Sequence, residues 1–284
     1  MEPNVKDGKG GLRDLHTLFW IAKYLYRVED VSELVTAGFL TLDEFNAFAE
    51  AEEFLWRVRC HLHFMTGRAE ERLTFDVQVE LAQRLGFEDK GRERGVERFM
   101  QRYFLTAKTV GDLTRIFCAA LEAQHKKPWP MFGRIIPTIG RKAVDVDGFF
   151  IEQNRLNIEG PQVLEADAVN FLRLFHIADQ KGVDVHPDAL RHVTRNLNLI
   201  DDDLRASAEA NRLFLGILCS RRDPERALRM MNEAGVFGAF VPDFGRIVAK
   251  MQFNMYHHYT VDEHLIRAIG HLARIERGDY KDEH

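Results

Sequence analysis

The stretch TLDEFNAFAEAEEFLWRVRCHLHFMTG, residues 41–67, decides the fold class. Thr41 followed three residues later by Glu44 is a capping box, in which each side chain satisfies a backbone amide at the start of a helix. Phe45, Phe48, Leu55, Val58 and Leu62 then recur at helical spacing, so one stripe of the helix is apolar. Gly67 supplies the left-handed stop. The pattern predicts a long helix ending near Thr66.

The same period extends outward on both sides. Upstream, Leu12, Leu15, Leu18, Phe19, Ala22 and Tyr26 form the stripe of a helix that begins after Gly10-Gly11, and a short helix over 31–37 stops at Gly38. Downstream, helices are predicted over 76–85, stopped by Gly86, and over 92–124. The stretch HKKPWPMFGRIIPTIGRK, residues 125–142, holds three prolines and two glycines and reads as an irregular connection. Residues 143–158 read as two short strands with the turn at Asp147-Gly148 and with Phe149, Ile151, Leu156 and Ile158 in the second strand region. Helices resume at about Pro161, through Phe175, and over 190–197, 204–219 and 224–234. The expected fold class is all-α, helical-bundle domains with one small β-hairpin interruption.

Composition narrows the function classes. The 284 residues are 45% hydrophobic and 29% charged, with net charge −5, the profile of a globular chain with nothing global to attract nucleic acid or an anionic membrane. Apolar runs fall far short of the ~20 residues of a membrane span, and no apolar leader follows Met1. The three cysteines lie far apart, which points to a reduced, cytoplasmic setting. Cys60 and Cys118 fall in helical apolar patterns and are expected to be core residues.

Two stretches carry candidate chemistry. VKDGKGGLRDL, residues 5–15, sets three glycines and the cations Lys6, Lys9 and Arg13 at a helix start. Amides exposed by Gly10 and Gly11 would suit a phosphate. The chemistry alone favours a plain glycine turn with a basic edge, because the spacing is not that of a P-loop. Asp14 suits the helix dipole.

The second stretch, YHHYTVDEHLIRAIGHL, residues 256–272, holds four histidines and two acids. Thr260 and Glu263 read as a capping box. Val261, Leu265, Ala268, Leu272 and Ile275 form the apolar stripe, with His264 on its flank. His271 stands seven residues on, ~10 Å along the helix, too far to share one ion with His264. His257 and His258 precede the cap and could line the same cleft, whereas His61 and His63 lie on opposite sides of their helix. Asp145 and Asp147 read as turn chemistry, and Asp201, Asp202 and Asp203 as a helix start.

EPNVKDGKGGLRDLHTLFW, residues 2–20, resembles the segment of bacterial PII uridylyltransferases where the nucleotidyltransferase domain hands over to its helical domain. FLWRVRCHLHFMTGR (54–68), RLTFDVQVELAQRLGF (72–87), LFLGIL (213–218), GVFGAFVPDFGRIVAKMQF (235–253) and YTVDEH (259–264) are similar too. The resemblance implies transfer of UMP from UTP to a tyrosine of the PII signalling protein, hydrolysis of that UMP by an HD-type domain, Mg²⁺ or Mn²⁺ as cofactor, and glutamine as regulator. By that resemblance Asp14 is a candidate catalytic residue, Lys6, Gly10, Gly11 and Arg13 bind nucleotide, and His264 is a metal ligand. The implied domains are 1–15, the end of the nucleotidyltransferase domain; 16–125, the helical domain; 126–159, linker and hairpin; 160–250, a second helical region; and 251–284, the start of an HD domain. No Gly-Ser dipeptide and no His-Asp dipeptide occurs, so the expectation is an internal fragment without either complete active site. A non-catalytic helical interaction module, or a relative of glutamine synthetase adenylyltransferase, are the alternatives, and YTVDEH argues against the latter.

Overall fold

The computed structural model describes residues 2–125, 142–144, 146–253 and 259–280. The expected connection over 126–141, Asp145, His257 and His258 lie outside the described residues. The chain divides into two compact units, residues 1–117 with 247–262 and residues 118–246 with 263–284.

The first unit is helical. Its helices are α1 (Leu12–Tyr26), α2 (Glu33–Thr36), α3 (Leu42–Thr66), α4 (Phe75–Arg84) and the start of α5 (Gly95–His125). The capping box of α3 forms as its sequence demands: Glu44 N donates to Thr41 Oγ1 at 3.2 Å, and Thr41 N donates to Glu44 Oε2 at 2.8 Å. Gly67, at φ 65°, closes the helix, a conformation that costs glycine little. Helix α3 packs on α1 and α4. The core gathers Leu12, Leu15, Leu55, Leu62, Phe99 and Tyr103, each fully buried, and each contributes roughly 1.5–3 kcal/mol by leaving water.

Helix α5 begins three residues later than its period suggests. Gly95 N donates to Asp89 Oδ1 at 2.6 Å, and a Cβ on Gly95 would stand 2.2 Å from the Phe87 carbonyl oxygen. The chain makes a tight turn there before the helix starts.

The second unit carries a four-stranded sheet in the order β1 (Lys142–Ala143), β2 (Phe149–Glu152), β3 (Arg155–Ile158) and β4 (Asp184–Val185). The first three are antiparallel neighbours, and β4 runs parallel to β3. Asp147-Gly148 lies in the turn between β1 and β2. The expected second strand is itself a hairpin, with Phe149 paired to Ile158 and Glu152 to Arg155. Its turn residues Gln153 and Asn154 both have positive φ, 50° and 61°, the geometry that suits two-residue hairpins.

Helices α6 (Gln162–Ala166), α7 (Asn170–Lys181), α8 (Pro187–Arg195), α9 (Asp202–Ala206), α10 (Ala208–Leu218), α11 (Pro224–Glu233), α12 (Val236–Phe240) and α13 (Pro242–Gly245) follow, and α14 (Val261–Arg277) closes the chain. Helix α7 is central: Phe171, Leu172, Leu174 and Phe175 are fully buried, and it packs on α10 and α11. The helix expected over 204–219 is two, because Ser207 takes an extended conformation and caps α10 by accepting from Ala210 N. Asp201 caps α9 by accepting from Leu204 N at 2.9 Å, as its acidic run implied.

All three cysteines are exposed, which corrects the core reading of Cys60 and Cys118. The inward face of α3 is Phe48, Ala51, Leu55, Val58 and Leu62. Cys60 stands two residues from both Val58 and Leu62, about 200° around the helix. Among the described residues, no helix is long and apolar enough to cross a membrane.

Candidate functional site

The N-terminal segment is clamped from several sides. Val5 N donates to the Glu71 carbonyl and Leu73 N to the Pro3 carbonyl, both at 2.8 Å, with a bridge between Asn4 and Arg72. Glu2 Oε1 accepts from Phe75 N at 3.0 Å, at the first turn of α4. Asn4 Oδ1 accepts from Lys6 N and Asp7 N at 2.9 and 2.7 Å, which folds the next residues into a turn. Tyr103, its phenol pKa pushed up by burial, donates to the Asn4 carbonyl at 3.4 Å.

The glycines serve close approach. Gly10 has φ 75°, and a Cβ there would stand 2.1 Å from the Ala107 carbonyl oxygen of α5. A Cβ on Gly11 would lie 2.7, 2.8 and 2.9 Å from the carbonyl oxygens of Val5, Lys6 and Gly8.

The backbone amides of this loop have partners within the chain. Gly11 N donates to Gly8 O, Leu12 N to Val5 O and Arg13 N to Lys6 O, at 2.8, 3.0 and 2.9 Å. Gly10 N donates to Asp14 Oδ2 at 2.7 Å. The chain's own oxygens take the donors at this helix start, and Asp14 holds the loop closed. Arg13 Nη2 lies 3.0 Å from Asp7 Oδ1, with both side chains well exposed. Lys6 is half-buried and Lys9 exposed.

Beside this loop lies a charged cluster that sequence reasoning did not single out. Arg59 grips Glu71 with one edge of its guanidinium, donating from Nε to Oε2 at 3.0 Å and from Nη2 to Oε1 at 2.8 Å. Its guanidinium carbon also sits 5.0 Å from the Trp56 ring centre. His63 Nε2 is 3.5 Å from Glu71 Oε1. Burial pushes the Glu71 carboxyl up, but the Arg59 fork and charge, with His63 and Lys6, hold it below its ordinary value. Thus the residue whose backbone receives Val5 also gathers positive charge near Lys6. The signal in the sequence was faint, because residues 59, 63 and 71 meet only once the turn after α3 is made.

An open cleft of about 400 Å³ in the same unit was also unforeseen; its lining includes Arg92, Glu93, Glu97, Arg98, Lys250 and Phe253. Phe253 stacks on Phe75 at 4.0 Å and 9°, with the Arg94 guanidinium 4.9 Å from its ring centre. Lys250 Nζ is 2.5 Å from Glu93 Oε1, and Phe253 N donates to Glu97 Oε1 at 3.0 Å. Opposite charges pair along the cleft.

The apolar stripe of helix α14 faces out: Leu265 is 42%, Leu272 65% and Ile275 61% exposed. The opposite face is seated on α11, with Ile266 fully buried. Glu225 of α11 accepts from Arg229 and Arg274 at 3.0 Å each, and Glu263 accepts from Arg229 and Arg267 at 2.6 and 2.9 Å. Gly270 leaves room for this network, since a Cβ there would stand 2.2 Å from Glu225 Oε2. The two acids at the start of the helix have these partners: Glu263 joins the arginines, and Asp262 Oδ1 accepts from Ala249 N at 3.1 Å. His264 is exposed on the outward side, and His271 Nδ1 contacts Tyr280 OH at 2.9 Å. Among the described residues, no group of three or more His, Cys, Asp or Glu side chains is placed to hold a metal ion.

The chain is built from domains of the GlnD uridylyltransferase family: residues 1–118 match the family model described as GlnD PII-uridylyltransferase, and residues 149–240 match that described as the uridylyltransferase GlnD third domain. Over 283 residues, 100% of this chain, it is 56% identical to a bifunctional uridylyltransferase/uridylyl-removing enzyme of Azospirillum brasilense. It spans 30% of that relative's length. No solved structure matches the chain.

Proposed function

We propose that this chain is part of an enzyme that transfers UMP from UTP to a tyrosine of the PII signalling protein and hydrolyses it off again, in glutamine-linked nitrogen regulation within the cytoplasm. The observation that carries the reading is 56% identity, along the whole chain, to a relative that bears both activities in its name.

Within that reading, Lys6 and Arg13 meet the UTP phosphates as charges at the edge of the loop. Gly10 and Gly11 act by letting the loop seat against α5. Asp14 is a positioning residue, acting through its bond to the Gly10 amide. On α14, His264 is exposed and able to ligate from the outward side. Mg²⁺ or Mn²⁺ would supply charge neutralisation to both half-reactions. Among the described residues no group of three or more His, Cys, Asp or Glu is placed to hold the ion, and this segment alone is proposed to turn over little.

The test uses protein of native length. Incubated with UTP, Mg²⁺ and PII, it should add one uridylyl group to a PII tyrosine by mass spectrometry, and glutamine should favour its removal. PII that stays unmodified under these conditions overturns the assignment.

A further inference from the structure

The last turn of α7 carries a carboxylate where a helix least favours one. Asp179 is 7% exposed and stands at the negative end of the helix dipole. A carboxylate buried this far is costly unless it is paired. Its Oδ2 accepts from Ser220 Oγ at 2.6 Å and, at 3.5 Å, faces Gln180 Nε2. Among the described residues no donor meets Oδ1 and no cation forms an ion pair with the group, and Oδ1 is not sealed from solvent. His176, one turn back on α7, does not supply the charge. Burial pushes its pKa down, against the pull of Asp179, and Arg212 adds to the fall.

Asp179 lines a cavity of about 150 Å³ between the end of α7 and the start of α11. At ~30 Å³ for each water, that is room for roughly five waters, and so for a molecule of few heavy atoms. Val183, Ala227 and Met230 give it apolar walls, and Arg222 and Arg226 line it as well. The two arginines differ. Arg226 Nη2 is taken by Asp184 at 2.5 Å. Asp223, the other acid of the wall, caps α11 by accepting from Arg226 N at 3.0 Å. Arg222 has no carboxylate partner among the described residues. Its backbone is held in place, because Arg222 N donates to Ser220 Oγ at 3.1 Å and its carbonyl accepts from Arg277 Nη1 at 2.7 Å. The Ser220 hydroxyl therefore bridges Asp179 and the Arg222 backbone. Arg222 Nη1 lies 3.4 Å from the place a Cβ would take on Gly182, the residue that ends α7. One small cavity thus holds a carboxylate oxygen and a guanidinium that the chain leaves uncompensated. A ligand with a single charge would answer one of them and strand the other.

We propose that this cavity binds a small zwitterion of the α-amino-acid class, its ammonium donating to Asp179 Oδ1 and its carboxylate accepting from the Arg222 guanidinium. The apolar walls receive a short side chain such as a methyl group. The inference rests on the packing of α7 against α11 and stands whether or not the uridylyl chemistry proposed above is correct.

Saturation-transfer NMR titration of L-alanine into protein of native length tests it, with ethylamine and propionate as probes that keep one charge each. L-Alanine should bind with a Kd on the order of 1 mM, and each single-charge probe about tenfold more weakly or worse, since each lacks one charge-assisted hydrogen bond. Asp179→Asn keeps the shape and the Ser220 contact while removing the charge. Arg222→Ala removes an exposed side chain and carries the test alone if the buried variant does not fold, which circular dichroism melts establish. Each should weaken L-alanine binding about tenfold. No L-alanine signal above that of the protein-free control would mean a cavity filled by water only. Ethylamine binding as tightly as L-alanine would mean a plain cation site. Either result, or L-alanine binding undiminished in the folded variants, would overturn the proposal.

Discussion

Replacing Gly10 by alanine tests whether the glycine pair is there for packing or for a ligand. Two costs follow from the structure. The residue holds φ 75°, a conformation that costs an L-residue about 1 kcal/mol or more. The new Cβ would also stand 2.1 Å from the Ala107 carbonyl oxygen and 2.7 Å from its Cα. Both atoms are helix backbone and cannot rotate aside, so relief requires moving the loop or α5, at about 1–3 kcal/mol. The sum, about 3 kcal/mol, is a large share of the ~5–15 kcal/mol that stabilises a typical domain. At roughly 2–4 °C per kcal/mol, Gly10→Ala should lower the melting temperature by about 6–12 °C in a circular dichroism melt. Gly111→Ala is the control. Gly111 lies in α5 with nothing within 4 Å of its Cβ position, so alanine there should raise stability by about 0.5–1 kcal/mol. A Gly10→Ala melt that overlays wild type, with weakened UTP binding alone, would refute the packing argument and restore the loop as a phosphate cradle.

Glu71→Gln should cost about 1–3 kcal/mol by removing a charged acceptor from the Arg59 fork. Because the Glu71 carboxyl is held below its ordinary value, its contribution is complete above about pH 4.5 and fades as pH falls through the lower folded value; urea midpoints measured across the acid range should fall less steeply in the variant, and identical acid limbs would reject the pairing. Gly270→Ala places a Cβ 2.2 Å from Glu225 Oε2 and 2.8 Å from Glu225 Cβ, and should destabilise the protein by about 1–2 kcal/mol; an unchanged melt would mean that α14 is not closely seated on α11. His264→Ala, at an exposed position, should change stability by less than about 0.5 kcal/mol, while protein of native length loses uridylyl removal and keeps UMP transfer. Removal at the normal rate takes His264 out of the site.

What was legible in the sequence was local. The capping box at Thr41 and Glu44 and the helix stops at Gly38, Gly67 and Gly86 depend on a few neighbouring residues, and all three glycines take positive φ. The stripes of α1 and α3 were legible because period alone fixes which residues share a face. The hairpin at Gln153-Asn154 escaped because only asparagine of that pair signals a left-handed turn, and β4 because two residues carry no alternation.

Tertiary structure decided how those local pieces were used. The glycine motif was recognisable, but its need for glycine comes from carbonyl oxygens, one of them on α5, nearly a hundred residues away. The stripe of α14 was real, yet periodicity defines a face without saying what meets it. The inward side of α14 was set by Glu225, Arg229 and Gly270, where the carboxylate fits into the space a side chain would fill. Short-range hydrogen bonding and φ preference are written residue by residue, while orientation follows from long-range charge pairing and steric fit, which exist only after the chain has closed on itself.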